Sequence, residues 1–566
     1  MGKEIALSQN GFTRSIIDMK QPNIILILAD DMGYSDIGCY GGEMETPNLD
    51  RLAAQGLRYT QFYNTARCCP TRASLLTGMN PHQVDIGHMA HFDDDLDGYR
   101  GDLSKQCVTI AEVLKGNGYK TYLSGKWHVC KQLLEEHGDG SNWPCERGFD
   151  RFYGITGGAA SYYDPPTLTE DRKNIDPPQD SDYYFTDDVS DHACQFIREH
   201  KETDSDKPFF LYTAYTAPHW PLHAKPEDIE KYQGRFSDGW DVLREERLKR
   251  MEEMGIVKPD TGLTKRDSTQ PAWDDTPDKA WQERRMEVYA AQVDSMDQGI
   301  GRMLDTLEKQ GELENTLILF LSDNGACAEE IFDTFFPYEK PSGEGRAKPL
   351  SCRAHTRDGR VMQHGNDPQV MPGDETNFQS YGVAWANLSN TPFREYKHFV
   401  HEGGIATPLI AHWPAGFESR GALRHQTGQL MDIMATIVDV SDAKWPAERA
   451  GLPISPQEGS SLRSTFDSDS SDRPPLAWEH EGNCAYREGQ WKLVKRWDRD
   501  NWELYDMETD RTELNDLSAD RPELHSELKS KYDAWASRVG VIPWDDIEAG
   551  RNAQGIFTDW MPHPHD

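Results

Sequence analysis

This sequence of 566 residues predicts an α/β protein: a large, mostly parallel mixed sheet between layers of helices, followed by a smaller C-terminal α+β domain with an antiparallel sheet. Three observations carry that reading. Continuous apolar runs of strand length, such as NIILILA at residues 23–29, have the composition of strands buried on both faces. Such runs alternate with helical patterns over roughly four hundred residues, the order expected when crossover helices connect parallel strands. Beyond Ser441 the alternation stops, and short strands separated by turn residues take over.

The elements follow in order. After the first strand, Thr46-Pro47 opens NLDRLAAQ and Gly56 closes it, so a cap, a proline at the first position and a terminal glycine bound a short helix. LRYTQFYN returns as a strand. Helix TIAEVLKGNG precedes strand YKTYLSGK, helix VSDHACQFIREH precedes PFFLYTAYT, and the long helix MEVYAAQVDSMDQGIGRMLDTLEKQ precedes TLILFLS. Strand ATPLIAHW and helix LMDIMATIVDV end the series. In the C-terminal part, LAWEHEGNCAYREGQWKLVKRW and NWELYD read as antiparallel strands and ELHSELKSKYDAWASRV as a helix. The expected boundaries are an N-terminal extension over 1–21, a main domain over 22–445, a connecting loop over 446–474, the α+β domain over 475–546 and a tail over 547–566. An insertion at about 327–381 and the tail lack periodicity; so long a loop is expected near the active site.

Sixty Lys and Arg against ninety-six Asp and Glu give a net charge of −36, which repels nucleic acid and anionic membrane surfaces but leaves room for a local cationic pocket. No apolar run is long enough to cross a bilayer. Ten cysteines without a C-x-x-C motif indicate neither a disulfide scaffold nor a zinc ribbon. The N-terminus lacks an apolar signal core, so the expected compartment is cytoplasmic if that end is native, and periplasmic or extracellular if a leader was removed.

Three strands end in polar residues: NIILILA in Asp30-Asp31, TLILFLS in Asp323-Asn324-Gly325, and PFFLYTAYT in Ala217-Pro218-His219. Ligands bind outside the carboxyl ends of parallel strands, so these groups are placed to converge. Three carboxylates and one amide oxygen make a hard, all-oxygen set suited to Ca²⁺ or Mg²⁺. Each Asp read singly is as well explained as a turn or helix cap. A second constellation is Cys68-Cys69-Pro70-Thr71-Arg72 ahead of ASLLTG, where Pro70 sets the preceding segment against a helix N-terminus that favours an anion. Composition alone makes Cys68 a small buried hydrophobe and Arg72 a surface cation.

Cys-x-Pro-x-Arg followed by Leu-x-Gly resembles the signature of type I sulfatases, in the alkaline phosphatase superfamily. The resemblance runs through seven fragments in family order: PNIILILADDMGYSDIGCYG, TPNLDRLAAQG, the cysteine motif, GYKTYLSGKWH, TAPHWP, LSDNG and NTPFREYKHFVHEGG. WELYDMETDRTELNDLS resembles the small domain of the same family. The resemblance implies an alkaline phosphatase-like layered domain and hydrolysis of a sulfate monoester, of an aryl alcohol or a sulfated sugar, to alcohol and inorganic sulfate. It implies that Cys68 is oxidised to formylglycine by a maturation enzyme, and that one Ca²⁺ per chain is held by Asp30, Asp31, Asp323 and Asn324, with an oxygen of the modified Cys68 or of the bound sulfate completing the shell. Arg72 would hold the formylglycine hydroxyls and Lys126 the sulfate oxygens. His128 would orient or deprotonate the hydrate, and His219 with Lys397 would sit over the leaving-group oxygen. Lys126 and His128 lie two apart in GKWH, so on a strand they share a face.

Tyr162, Tyr163, Trp220, Trp385 and His401 are candidates for binding the alcohol part, against the default of buried core residues. His88, His91 and His398 are read the same way. Cys69 is the variable position of the motif, Asp93-Asp94-Asp95 a solvated loop, and Asn387-Leu388-Ser389 a sequon match placed at the active-site rim. Two rivals remain. A phosphate or phosphonate monoester hydrolase of the same superfamily uses similar charge clamps. An inactive calcium-bound carbohydrate-binding protein would lack at least one of Cys68, Arg72, Lys126 or His128, and all four are present.

Overall fold

The computed structural model describes residues 20–90, 92–178, 182–331, 353–469 and 473–553. Most of the expected N-terminal extension, His91, residues 332–352 of the insertion and the end of the tail lie outside the described residues. Strand β1 (Asn23–Ala29) is followed by helix α1 (Pro47–Gln55), β2 (Leu57–Tyr63), α2 (Cys68–Thr77), α3 (Ile110–Gly116), β3 (Lys120–Lys126) and β4 (Arg151–Ile155). Short strands β5 (Leu168–Glu170) and β6 (Lys173–Asn174) lead to α4 (Phe185–Thr203), β7 (Phe209–Ala214), α5 (Gly239–Glu253), α6 (Lys279–Gln310) and β8 (Thr316–Ser322). Then come α7 (Gly382–Ser389), β9 (Ala406–His412), β10 (Ala422–Gln429) and α8 (Leu430–Val440). The C-terminal part holds β11 (Leu476–His480), β12 (Asn483–Glu488), β13 (Trp491–Lys495), β14 (Glu503–Asp506), α9 (Pro522–Val539) and α10 (Trp544–Ala553).

Ten strands form one sheet in the order β10-β2-β9-β8-β1-β7-β3-β4-β5-β6. Strands β8, β1, β7, β3 and β4 are mutually parallel, whereas β9 runs antiparallel to both its neighbours and β4, β5 and β6 alternate in direction. Alternate residues of β1 feed two cores: Ile25 and Ile27 pack with α1, α4 and α6, while Ile24, Leu26 and Leu28 pack with α2, α3 and α8. This is why β1 reads as an uninterrupted apolar run. The C-terminal sheet is antiparallel, in the order β11-β12-β13-β14. Its Leu476, Trp478, Ala485, Val494 and Tyr505 join the first core, and Leu528 and Tyr532 of α9 cover Leu493 and Leu504 on its other face. The Trp478 indole N–H donates to the Asn64 carbonyl at 2.8 Å, so the two sheets share one interior.

Some elements have a broken apolar signature. Helix α5 turns Trp240, Leu243 and Met251 inward together with Arg244 and Arg247, and Arg247 is neutralised by Asp36 at 2.9 Å and Glu43 at 2.6 Å, so charge pairing interrupts the apolar stripe. Helix α10 crosses the expected boundary at 546/547 into the tail, with Ile547 and Arg551 buried; Arg551 binds Asp94 at 2.7 Å. Asp94 is therefore part of a buried ion pair that also meets His88, not a solvated loop residue. Asn387 is buried within α7, which removes it from the rim and from glycosylation. Among the described residues no helix is long and apolar enough to cross a membrane.

Candidate active site

The four parallel strands β8, β1, β7 and β3 are consecutive in the sheet, and their carboxyl ends deliver the polar residues to one place. Register aligns Ala29 with Ser322, so Asp30 and Asp323 leave adjacent strands side by side. Backbone bonds hold the ends together: Asp30 N–H donates to Ala217 O at 3.0 Å and Asp323 N–H to Ala29 O at 3.1 Å. Asp30, Asp31, Asp323 and Asn324 are all buried.

Each carboxylate is answered by a buried cation, and Arg72 reaches two of them. The Lys126 ammonium donates to Asp30 Oδ2 at 2.6 Å, Arg72 Nη2 to Asp323 Oδ2 at 2.8 Å, and the Lys397 ammonium to Asp31 Oδ2 at 2.8 Å. Among the described residues no hydrogen bond reaches Asp30 Oδ1, which faces Arg72 Nη2 at 3.5 Å, or Asn324 Oδ1, while Asn324 Nδ2 donates to Asp31 Oδ1 at 2.7 Å. Burial and the neighbouring Asp323 push the Asp30 carboxyl well above the usual range despite Lys126 and Arg72. Against the same burial, Lys397 and His219 hold Asp31 below it. Crowded carboxylates of this kind are what a divalent cation relieves.

Helix α2 begins at Cys68, so position 68 lies at a helix N-terminus, and Gly78 in a left-handed turn (φ 68°) ends the helix. Cys68 is 2% exposed. A hydrogen bond from Cys69, with Lys126 and His128 nearby, draws its thiol well below the ordinary range even though burial opposes this. His128 Nδ1 lies 3.5 Å from Cys68 Sγ, and its Nε2 lies 3.2 Å from Cys69 Sγ. Strand β3 ends at Lys126, and His128 has φ 56°, so the two do not share a strand face as period-two spacing predicted. A left-handed residue turns His128 into the site instead. Gly158 makes room for its ring, since a Cβ there would sit 2.4 Å from the imidazole.

His219 and Lys397 meet at 3.3 Å, and His219 Nε2 is also 3.3 Å from Asp31. His219 Nδ1 lies 2.7 Å from the Trp220 carbonyl, which can only accept, so the ring hydrogen is on Nδ1 and Nε2 offers a lone pair. Burial pulls the imidazole down to about 4 and keeps it neutral near pH 7. Arg67 and Glu329, which no motif singles out, complete this side. Arg67 pairs with Glu329 Oε1 at 2.9 Å, the Trp220 indole donates to Glu329 Oε2 at 2.9 Å, and Lys397 lies 3.7 Å away. Their only sequence signal is position: Arg67 directly precedes Cys68, and Glu329 opens the insertion.

The expected alcohol-binding residues divide. Trp220 is half-buried beside His219, with ring centroids 4.3 Å apart. Tyr163 is half-buried and donates its hydroxyl to Ala224 O. Tyr162 is buried, with its hydroxyl between the carbonyls of Thr216 and His219 at 2.8 Å each, so it supports the loop rather than facing a substrate. Trp385 is enclosed by Trp240, Trp273 and Phe236 and donates to Gln282 O, which leaves no face for a ligand. His401 is buried against Glu503 of β14 at 3.5 Å, a contact between the two sheets' regions.

Comparison with known proteins agrees with this arrangement. The chain is 30% identical over 576 residues to an uncharacterised sulfatase of Schizosaccharomyces pombe, covering 95% of this chain and 98% of that one. It is 31% identical to an arylsulfatase of Klebsiella aerogenes, covering 78% and 91%. It is 26% identical to an N-acetylglucosamine-6-O-sulfatase of Bacteroides thetaiotaomicron, covering 87% and 82%. Its fold matches a protein crystallised with a neocarrahexaose, at TM-score 0.64 and 23% identity over 95% of this chain and 99% of the other. A C-terminal model, that of N-sulphoglucosamine sulphohydrolase, matches residues 395–536. The sulfatase family model matches residues 22–443, and the chain therefore belongs to that family, as a type I sulfatase of the alkaline phosphatase superfamily and a sulfuric ester hydrolase.

Proposed function

We propose that the chain cleaves sulfate monoesters of sugar or aryl alcohols at a formylglycine made from Cys68, with one Ca²⁺ held by Asp30, Asp31, Asp323 and Asn324. The observation that supports this most is the gathering of three buried carboxylates against three buried cations, in which Asp30 Oδ1, 3.5 Å from Arg72, and Asn324 Oδ1 accept no hydrogen bond from the described residues. Those two oxygens, both hard donors, fit a calcium ion. Calcium there would supply Lewis-acid polarisation of the sulfate oxygens. Formylglycine would supply, as its hydrate, a hydroxyl nucleophile at position 68.

The chain's own residues do the rest. Arg72, Lys126 and Lys397 place three positive charges around position 68, enough to bind and orient a sulfate group. His128, 3.5 Å from the atom at position 68, would take a proton from the group formed there. Lys397 would carry a proton towards the leaving oxygen, and neutral His219, whose Nε2 accepts from it, would hold the ammonium in that direction. Cys68 is almost fully buried, so the maturation enzyme must reach it before the chain folds. The relative named as an N-acetylglucosamine-6-O-sulfatase supports a sulfated sugar as substrate.

The test pairs mass spectrometry of the Cys68 peptide with a desulfation panel of sulfated monosaccharides, an aryl sulfate and matched aryl phosphate and phosphonate esters. Aldehyde at position 68 and faster turnover of sulfates are expected. Full activity with unmodified Cys68, or a preference for the phosphorus esters, would overturn the reading.

A further inference from the structure

A second polar cluster lies where the C-terminal sheet meets the loop carrying Lys397. His398 follows Lys397 directly, and its backbone N–H donates to Ala66 O at 2.7 Å, next to Arg67. Asn483 Nδ2 donates to His398 O at 3.2 Å, which ties the start of β12 to this loop. His480 closes β11, and Glu481-Gly482 forms the two-residue turn into β12, with φ 46° and 81°. A turn with two positive φ values favours Asn, Asp or Gly at its first position. Glutamate stands there instead, and its longer side chain reaches His398 Nδ1 at 3.1 Å.

His480 is the second, independent sign. Its side chain is fully buried, and among the described residues neither ring nitrogen has a hydrogen-bond partner. Its Nε2 lies 3.8 Å from Glu481 Oε2, too far for a hydrogen bond. One ligand atom from each of His398, His480 and Glu481 lies within 4.8 Å of the other two. A tetrahedral ion at about 2.0–2.1 Å from its ligands spaces those atoms about 3.3–3.4 Å apart, between the 3.1 and 3.8 Å found here.

We propose that His398, His480 and Glu481 form a metal site for Zn²⁺ or a similar borderline divalent cation, which pins the C-terminal sheet to the loop that carries Lys397. Two imidazoles and one carboxylate select such an ion over Ca²⁺ or Mg²⁺, and three protein ligands leave one position for water. The site uses none of the residues proposed to hold calcium, so it stands or falls apart from that reading.

The full chain, kept in saturating Ca²⁺, is titrated with Zn²⁺ by calorimetry and with Co²⁺ by visible absorption. One equivalent of Zn²⁺ and a Co²⁺ spectrum of tetrahedral intensity are expected. His480→Ala and Glu481→Gln should each weaken binding by more than about tenfold, while Asp323→Asn should leave it unchanged. Glu481 is 18% exposed in a turn, so Glu481→Gln tests the site without emptying the core. Absence of uptake at micromolar Zn²⁺, or uptake that survives both substitutions, would overturn the proposal.

Discussion

Asp323→Asn is the sharpest probe of the calcium site, because it removes one charge at nearly constant volume. Asp323 Oδ2 accepts from Arg72 Nη2 at 2.8 Å and Nε at 3.2 Å, and Oδ1 accepts from the Asp31 backbone at 3.1 Å. Every one of these groups is buried, so water does not screen the change. Three carboxylates against Lys126, Arg72 and Lys397 make the metal-free site neutral, and the substitution leaves it at +1. Breaking a buried charge pair costs about 3–5 kcal/mol, which as a loss of cation affinity is roughly 10²- to 10³-fold or more in Kd. At free calcium one hundred times the wild-type Kd, the wild type should gain about 2.7 kcal/mol of stability and the variant about 0.4 or less. Urea unfolding with and without calcium reads this directly. Sulfate should also stabilise the metal-free variant more than the metal-free wild type, since Arg72 has lost its main partner. An unchanged calcium increment in the variant would refute the reasoning, by showing that the ends of β1 and β8 do not share one cation.

Further outcomes follow from the same geometry. Glu402 is fully buried with Lys492 at 3.0 Å and Arg511 at 3.1 Å, and although burial opposes it these cations pull its carboxyl down to about 2. Its contribution, about 3 kcal/mol, is complete above pH 4.5 and fades as pH falls through about 2. Glu402→Gln should flatten that acid limb in denaturation curves across pH 2–6, and an unchanged limb would contradict the assignment. Lys397→Met should slow esters with alcohol-like leaving groups by about 10²- to 10⁴-fold and activated aryl sulfates far less, with His219→Ala following the same trend more weakly. Equal losses across leaving groups in both variants would count against proton delivery from Lys397. Trp385→Ala should lower stability by about 3–5 kcal/mol, measured by chemical denaturation, because it empties a site walled by Trp240 and Trp273. A change confined to KM would instead return Trp385 to the substrate pocket.

Strand and helix order, and the residues that meet at the site, were legible because each rests on local chemistry. A strand buried on both faces must be continuously apolar, and NIILILA and TLILFLS are; a strand's end must hand over to polar residues, and Asp30, Asp31, Asp323 and Asn324 stand there. Helix α5 was illegible because its inward apolar residues Trp240, Leu243 and Met251 are interrupted by Arg244 and Arg247, the latter paired with Asp36 and Glu43, residues distant in sequence whose mutual burial no local period records. The turn of His128 into the site depends on a left-handed backbone and on the space left by Gly158. Whether an aromatic residue faces solvent or core was likewise decided only by packing: Trp220 stays beside His219, whereas Trp385 closes an aromatic cluster. Adjacency of β8, β1, β7 and β3, and the docking of Glu481 against His398, come from chain crossovers and from two sheets sharing one interior. Residue type and local spacing set which groups could act; burial and pairing between distant segments set which of them are held together.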